Sequence, residues 1–169
     1  MQVNSEAYQQ HRVFAELERY SDFYRHLAMS VFSFVSMGAK ALVNIDRYAY
    51  SSMQGTLYSI RAILLVGRIN DAYALLRKFH DSVVINIYAN LYLSDHFSID
   101  NFVVEKIQHW LTGKERLPEY RIMSQYIRDS EKLKPITDVL MADERYKRIR
   151  DRCNDHTLQF LSARNAQRQ

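Results

Sequence analysis

The sequence predicts an all-α helical bundle in which two long core helices are joined by shorter ones and followed by a last helix that carries the functional motif. Three observations predict it. Apolar residues recur over long stretches at alternating steps of three and four, the spacing that gathers them on one helix face. Only four glycines and two prolines interrupt 169 residues, and turn-forming clusters are few, so helices are long and connections short. An apolar content of 47% in a chain of this length supports a single domain over residues 1–169. A chain of this size buries roughly 70% of the surface its unfolded form exposes.

The first long helix runs from Ser5 to Val35, with Phe14, Leu17, Ser21, Tyr24, Ala28 and Val31 on its apolar stripe. A bend is expected near Met37 and Gly38, after which Ala41, Leu42, Ile45, Tyr48 and Ala49 continue an apolar pattern. Gly55 and Thr56 punctuate before a short helix from Leu57 to Val66, which Gly67 closes by adopting a left-handed conformation. Asn70 or Asp71 caps the second long helix, from Ala72 to Leu93, whose stripe is Ala72, Leu76, Phe79, Val83, Ile87 and Leu91. Ser94 to Phe97 is a connection. A helix from Ile99 to Leu111 follows, with Ser98 as its cap and Gly113 at its end. Lys114 to Pro118 forms a loop, then come short helices from Glu119 to Ser130 and from Pro135 to Met141. Proline costs little in the first helical turn, where its missing N–H has no partner to lose. The last helix spans Asp143 to Ala163, and Arg164 to Gln169 form a polar end.

Composition narrows the function. The single cysteine, Cys153, cannot form an intramolecular disulfide, and no secretory leader pattern opens the chain, so a cytoplasmic setting is expected. The most apolar run, Leu27 to Ala39, contains three serines and is too short to cross a membrane. A formal charge of +4, carried mostly by arginine, mildly favours a partner bearing phosphate. No glycine-rich phosphate loop occurs. Glu-x-x-His pairs of the di-iron type are absent and one cysteine with scattered histidines makes a poor zinc site, so neither a metal nor another cofactor is expected. Trp110 beside His109 reads as a packing anchor, and Cys153 as a small buried hydrophobe rather than a nucleophile.

Chemistry concentrates on the last helix. Tyr146, Ile149, Cys153 and Phe160 form its apolar seam, His156 falls on the same seam, and Arg145, Lys147, Arg148, Arg150 and Arg152 cluster beside it. A histidine on an apolar seam reads equally as a core residue bonded to a neighbouring carbonyl or carboxylate. A metal-free cleavage of a phosphodiester, in turn, requires a base of near-neutral pKa, which suits His156. It also requires a fixed cation where negative charge grows on the phosphate, which suits Arg150. Residues six apart are offset by about 120° on an ideal helix. Either a dimer partner completes the pair, or Arg152, four residues before His156, is the nearer phosphate ligand. Arg148 adds a further phosphate contact, and Asp151 and Asn154 support ligand or imidazole.

The stretch RDRCNDH, from Arg150 to His156, resembles the R-x4-6-H motif of the HEPN (higher eukaryotes and prokaryotes nucleotide-binding) family, in which a polar residue, here Asp151, follows the arginine. The resemblance implies a compact all-α domain that dimerises so that two motifs face one cleft. It implies a metal-independent endoribonuclease of toxin or antiviral-defence type, with RNA as substrate and a regulatory protein or antitoxin as a further partner. Arg19 and His26 match the same spacing, but Tyr20 follows that arginine and the pair lies on the first helix. A looser likeness covers Gly67 to Tyr88, where Arg77 and Asp81 are placed for an ion pair. Leu158 stands where some family toxins carry a modified tyrosine, which argues against neutralisation by that route. Because the chain stops soon after the motif, one domain of a longer polypeptide is also in keeping with it. The competing expectation is a non-catalytic helical interaction module, or an inactive relative that binds RNA without cutting it.

Overall fold

The computed structural model describes residues 3–34, 40–98, 104–142, 144 and 147–155. Every regular element among them is helical: α1 (Glu6–Gln9), α2 (Arg12–Phe34), α3 (Lys40–Leu65), α4 (Ile69–His96), α5 (Glu105–Thr112), α6 (Tyr120–Asp129), a 3-10 turn (Glu131–Leu133) and α7 (Lys134–Met141). Residues 147–155 form the last described helix, α8. The all-α expectation is met. No helix among the described residues is long and apolar enough to cross a membrane.

The chain clusters into two compact units, one of Met1–Ser82 with Glu144–Gln169, the other of Val83–Asp143. In the first, α2 and α3 run antiparallel, Glu18 pairing with Arg61 and Tyr24 meeting Tyr50. Their core joins the start of α4: Leu57, Ile60 and Ala72 are buried, with Leu17, Tyr24, Ile63, Leu76 and Phe79 packed against them. Burying a leucine or isoleucine contributes about 1.5–3 kcal/mol, so Leu57 and Ile60 anchor this unit. The α2 stripe is as expected, with Phe14, Ser21 and Ala28 buried and Leu17, Tyr24 and Val31 partly so.

The expected first helix is two. Gln10 ends α1, and His11 starts α2 by accepting the Val13 N–H on its Nδ1 at 3.2 Å and the Phe14 N–H on its carbonyl at 3.1 Å. The short piece then serves the end of α3, where the Tyr8 hydroxyl donates to the Leu64 carbonyl at 2.6 Å and the Gln9 amide to the Leu65 carbonyl at 3.4 Å. The Leu64 carbonyl, which also accepts the Gly67 N–H, thus takes two hydrogen bonds at the helix end. The bend near Met37 and Gly38 lies outside the described residues.

Gly55 and Thr56 do not punctuate the chain; α3 runs through both. The Thr56 hydroxyl donates to the Ser52 carbonyl at 2.8 Å, which satisfies it inside the helix. Gly67 does close α3, at φ 78°, with its N–H on the Leu64 carbonyl at 2.8 Å and the Arg68 N–H on the Ile63 carbonyl at 3.1 Å. These two bonds define a Schellman ending. Because the Arg68 carbonyl accepts the Ala72 N–H, α4 begins at Ile69, earlier than expected, and neither Asn70 nor Asp71 caps it. Asp71 lies in the first turn, where a carboxylate favours the helix dipole, and pairs with Arg68 at 2.5 Å.

Two further expectations on α4 are corrected. Its end is His96, so most of the expected connection from Ser94 is helical. Ile87 does not continue the seam, being exposed, while Val84, Tyr88 and the expected Leu91 are buried and Val83 is partly so. From Val83 onward α4 belongs to the second unit, and Val84 and Tyr88 are the residues it buries in that unit's core with Met123.

In the second unit, Val84, Tyr88 and Met123 are buried under Tyr92, Trp110, Tyr126 and Ile127. Trp110 packs against Tyr88 and Tyr92 at 5.5 and 5.1 Å, the anchor role expected of it. Ser98 does not cap α5, which starts at Glu105 after an extended Val104. Gly113 ends that helix at φ 71°. The 3-10 turn supplies Lys132, whose ammonium donates to Asp95 at 2.6 Å, while the Tyr126 hydroxyl donates to the other oxygen at 2.8 Å. Both bonds hold the Asp95 carboxyl below the usual range, and burial followed by Asp95 pushes the Tyr126 phenol up to about 12.

The glycines predict a sign series. A methyl group on Gly67 meets the Val3 Cγ2 at 2.5 Å and keeps a positive φ, whereas at Gly113 it meets nothing within 4 Å but is strained alike. At Gly55 it meets nothing on an ordinary helix. Urea unfolding is expected to show Gly67→Ala losing about 2–3 kcal/mol, Gly113→Ala about 1–2 kcal/mol, and Gly55→Ala gaining about 0.5–1 kcal/mol.

Candidate functional site

The reversal at Gly67 sends α4 back along the first unit, and α8 lies against its first half. On α4 the three- and four-residue steps bring Leu76, Arg77, Phe79 and His80 to one side; on α8, Ile149, Arg150 and Cys153 face them. Together they line a pocket of about 190 Å³. Arg77 holds the two helices in register. Its Nε lies 3.5 Å from the Asp81 carboxylate one turn along α4, and its Nη1 donates to the Asn154 side-chain carbonyl on α8. The expected Arg77 and Asp81 pair is therefore present, half exposed on both sides. At that exposure an ion pair adds little stability. Its value is orientation.

His80 was the residue missed in the sequence, where Arg77 and Asp81 drew attention on either side of it. The signal was its place directly before Asp81 and one turn beyond Arg77 on a half-buried helix face. Burial lowers the His80 pKa below the ordinary 6.5, and the cations of Arg150 and Arg77 lower it further, while Asp81 opposes them. The Asp81 oxygen is 3.9 Å from Nδ1, beyond hydrogen-bond length. The imidazole is thus neutral at neutral pH. Burial likewise raises the Cys153 thiol, against the pull of Arg77, so it stays protonated and unreactive.

Of the residues expected to carry function, Arg150 lines the pocket and Asn154 accepts the hydrogen bond from Arg77. Arg148, Asp151 and Arg152 are exposed elsewhere around α8. His156 lies outside the described residues, as do Tyr146 and Phe160 of the expected seam. Cys153 is buried on that seam and Ile149 is 51% exposed at the pocket rim. The alternative match does not assemble. Arg19 pairs with Glu16 at 2.7 Å, while His26 lines a separate groove between α2 and α3 with Arg25, Arg47 and Gln54. Among the described residues, no group of three His, Cys, Asp or Glu side chains is placed to hold a metal ion.

No family model, curated protein or solved structure matches the chain.

Two predictions test the pocket's electrostatics. Since the folded imidazole resists protonation, the unfolded chain binds more protons at pH values from about 6.5 down to the depressed native value, and stability falls on acidification through that window. His80→Leu is expected to lose this component, read as a smaller drop in urea midpoint between pH 7.5 and 5.5 than in the parent protein. For Cys153, alkylation by iodoacetamide at pH 7.5 is expected to be at least about tenfold slower in the native protein than in urea. Equal rates would contradict the buried, protonated thiol.

Proposed function

We propose that this chain is a HEPN-like, metal-independent endoribonuclease that works as a homodimer in a toxin or antiviral-defence setting in the cytoplasm. The observation that supports this reading is the pocket itself, where Arg150, the arginine of the motif, meets a second arginine and a neutral imidazole from α4. In the proposed reaction His156 takes the proton from the ribose 2′-hydroxyl. The freed 2′-oxygen bonds to phosphorus, the bond from phosphorus to the 5′-oxygen breaks, and that oxygen takes up a proton. Arg150 stabilises the charge that grows on the non-bridging oxygens. The products are a 2′,3′-cyclic phosphate and a 5′-hydroxyl. DNA lacks the nucleophile and is spared.

Exposed Arg148 and Arg152 serve in this reading as phosphate contacts along the strand, and Asp151 and Asn154 as supports. A regulatory protein or antitoxin restrains the activity. The second reading, a non-catalytic interaction module, is favoured by Ile149, an apolar side chain left 51% exposed on α8.

The two readings part in one experiment: labelled single-stranded RNA incubated with purified protein in excess EDTA. Cleavage is expected from the parent protein and is expected to fall by about 10²–10³ in Arg150→Ala and by about 10²–10⁴ in His156→Ala, with folding and oligomeric state unchanged. Equal cleavage by all three would assign the activity elsewhere. Absence of cleavage across several RNAs would favour the interaction module.

A further inference from the structure

We propose that a second pocket, between α2 and α3, binds a free α-amino acid with a polar side chain, its carboxylate on Arg61 and its ammonium on Glu18. The site lies apart from the groups between α4 and α8 and does not rest on the endoribonuclease reading.

Polar groups without partners mark the place. Glu18, Ser21, Asp22 and Arg25 on α2 face Gln54 and Arg61 on α3 around a pocket of about 220 Å³. Ser21 stands in the buried stripe of α2 and is 9% exposed. Neither its hydroxyl nor the Gln54 amide makes a hydrogen bond among the described residues. The Arg61 Nε is buried and has no acceptor either. Buried donors are costly to leave without an acceptor, and folded proteins keep few of them. Here three polar groups without partners, one of them on a permanent cation, come from two helices to one pocket.

Charge decides the class of ligand. The walls hold two carboxylates, Glu18 and Asp22, and two guanidinium groups, Arg25 and Arg61, so a simple anion or a simple cation would meet repulsion as well as attraction. The four do not all satisfy one another. Asp22 and Arg25 pair at 3.0 Å, but Arg61 and Glu18 stand 3.7 Å apart, beyond hydrogen-bond length. That open pair is complementary to a carboxylate joined through one carbon to an ammonium. The carboxylate accepts from the Arg61 Nε and the Ser21 hydroxyl, and the ammonium donates to Glu18. These bonds are charge-assisted, the stronger kind.

The helices also set the length of the ligand. With Glu18 opposite Arg61 on antiparallel helices, Arg25 lies about two turns along α2 and Gln54 about two turns back along α3, at the other end of the pocket. A side chain lying along Tyr58 ends at the Gln54 amide and the Asp22 and Arg25 pair, which suits an amide or a hydroxyl. The volume of about 220 Å³ is below the roughly 300–1,000 Å³ of pockets that enclose drug-sized molecules, the scale of one amino acid rather than a peptide.

The test titrates L-glutamine, L-asparagine and L-serine into the isotope-labelled full chain and follows backbone amide shifts by NMR. Each is compared with its N-acetyl derivative, which lacks the ammonium, and its α-amide, which lacks the carboxylate. Saturating shifts at Ser21, Gln54 and Tyr58 are expected with at least one amino acid by about 10 mM, and both of its derivatives are expected to bind about tenfold or more weakly. Ser21→Ala removes a hydroxyl that bonds nothing among the described residues, so its urea midpoint is expected to hold while affinity falls about tenfold. Arg61→Lys keeps the charge but lacks the Nε, and the same loss is expected. Absence of saturating shifts with all three amino acids would overturn the site. Derivatives that bind as well as the parent amino acid would overturn the zwitterion, and unchanged affinity in both variants would place the binding elsewhere on the chain.

Discussion

The first unit depends on one tight reversal of the chain at Gly67. A positive φ there lets two backbone bonds close α3 and releases α4 two residues later. Ala72 then lands against Leu57 and Ile60, and further along α4 Leu76 and Phe79 pack on that core while lining the pocket together with Arg77 and His80. The reversal is guarded from its outer side, where Val3 leaves no room for a β-carbon. A small backbone conformation thereby sets the position of every pocket group on α4.

The pocket shows how a shared environment divides the work of its polar groups. Burial drives His80 and Cys153 toward their neutral forms, the imidazole by losing a proton and the thiol by keeping one. Arginine does not yield in this way, because its guanidinium stays charged throughout the accessible pH range. Two permanent cations therefore stand beside two neutral groups.

Much of the fold was legible in the sequence, and the failures have physical causes. The α2 stripe from Phe14 to Val31, the left-handed ends at Gly67 and Gly113 and the helix around Met123 follow directly from periodicity and turn chemistry. Gly55 misled because a single glycine weakens a helix without ending it when neighbouring turns are packed. The break at Gln10 was hidden because its capping group is an imidazole, His11, which is not a usual cap. Ile87 was misplaced because from Val83 onward α4 belongs to the second unit, whose core takes Val84 and Tyr88 instead. At the candidate site, Arg150 and the Arg77 and Asp81 pair were legible as a motif and a spacing. His80 was not, since its burial and its second cationic neighbour, Arg150, come with the approach of α8, a long way along the chain.

Arg77 joins Asp81 on its own helix to Asn154 on another, so one guanidinium binds three sites in the chain into a single unit of inheritance. A change at Asp81 or Asn154 removes one of the guanidinium's two bonds, and a change at Arg77 removes both. In related chains, should they diverge, these three positions are expected to drift together, and a replacement at 154 to arrive with its complement at 77. The neighbouring exposed positions, Arg148 and Arg152, carry no such bond among the described contacts.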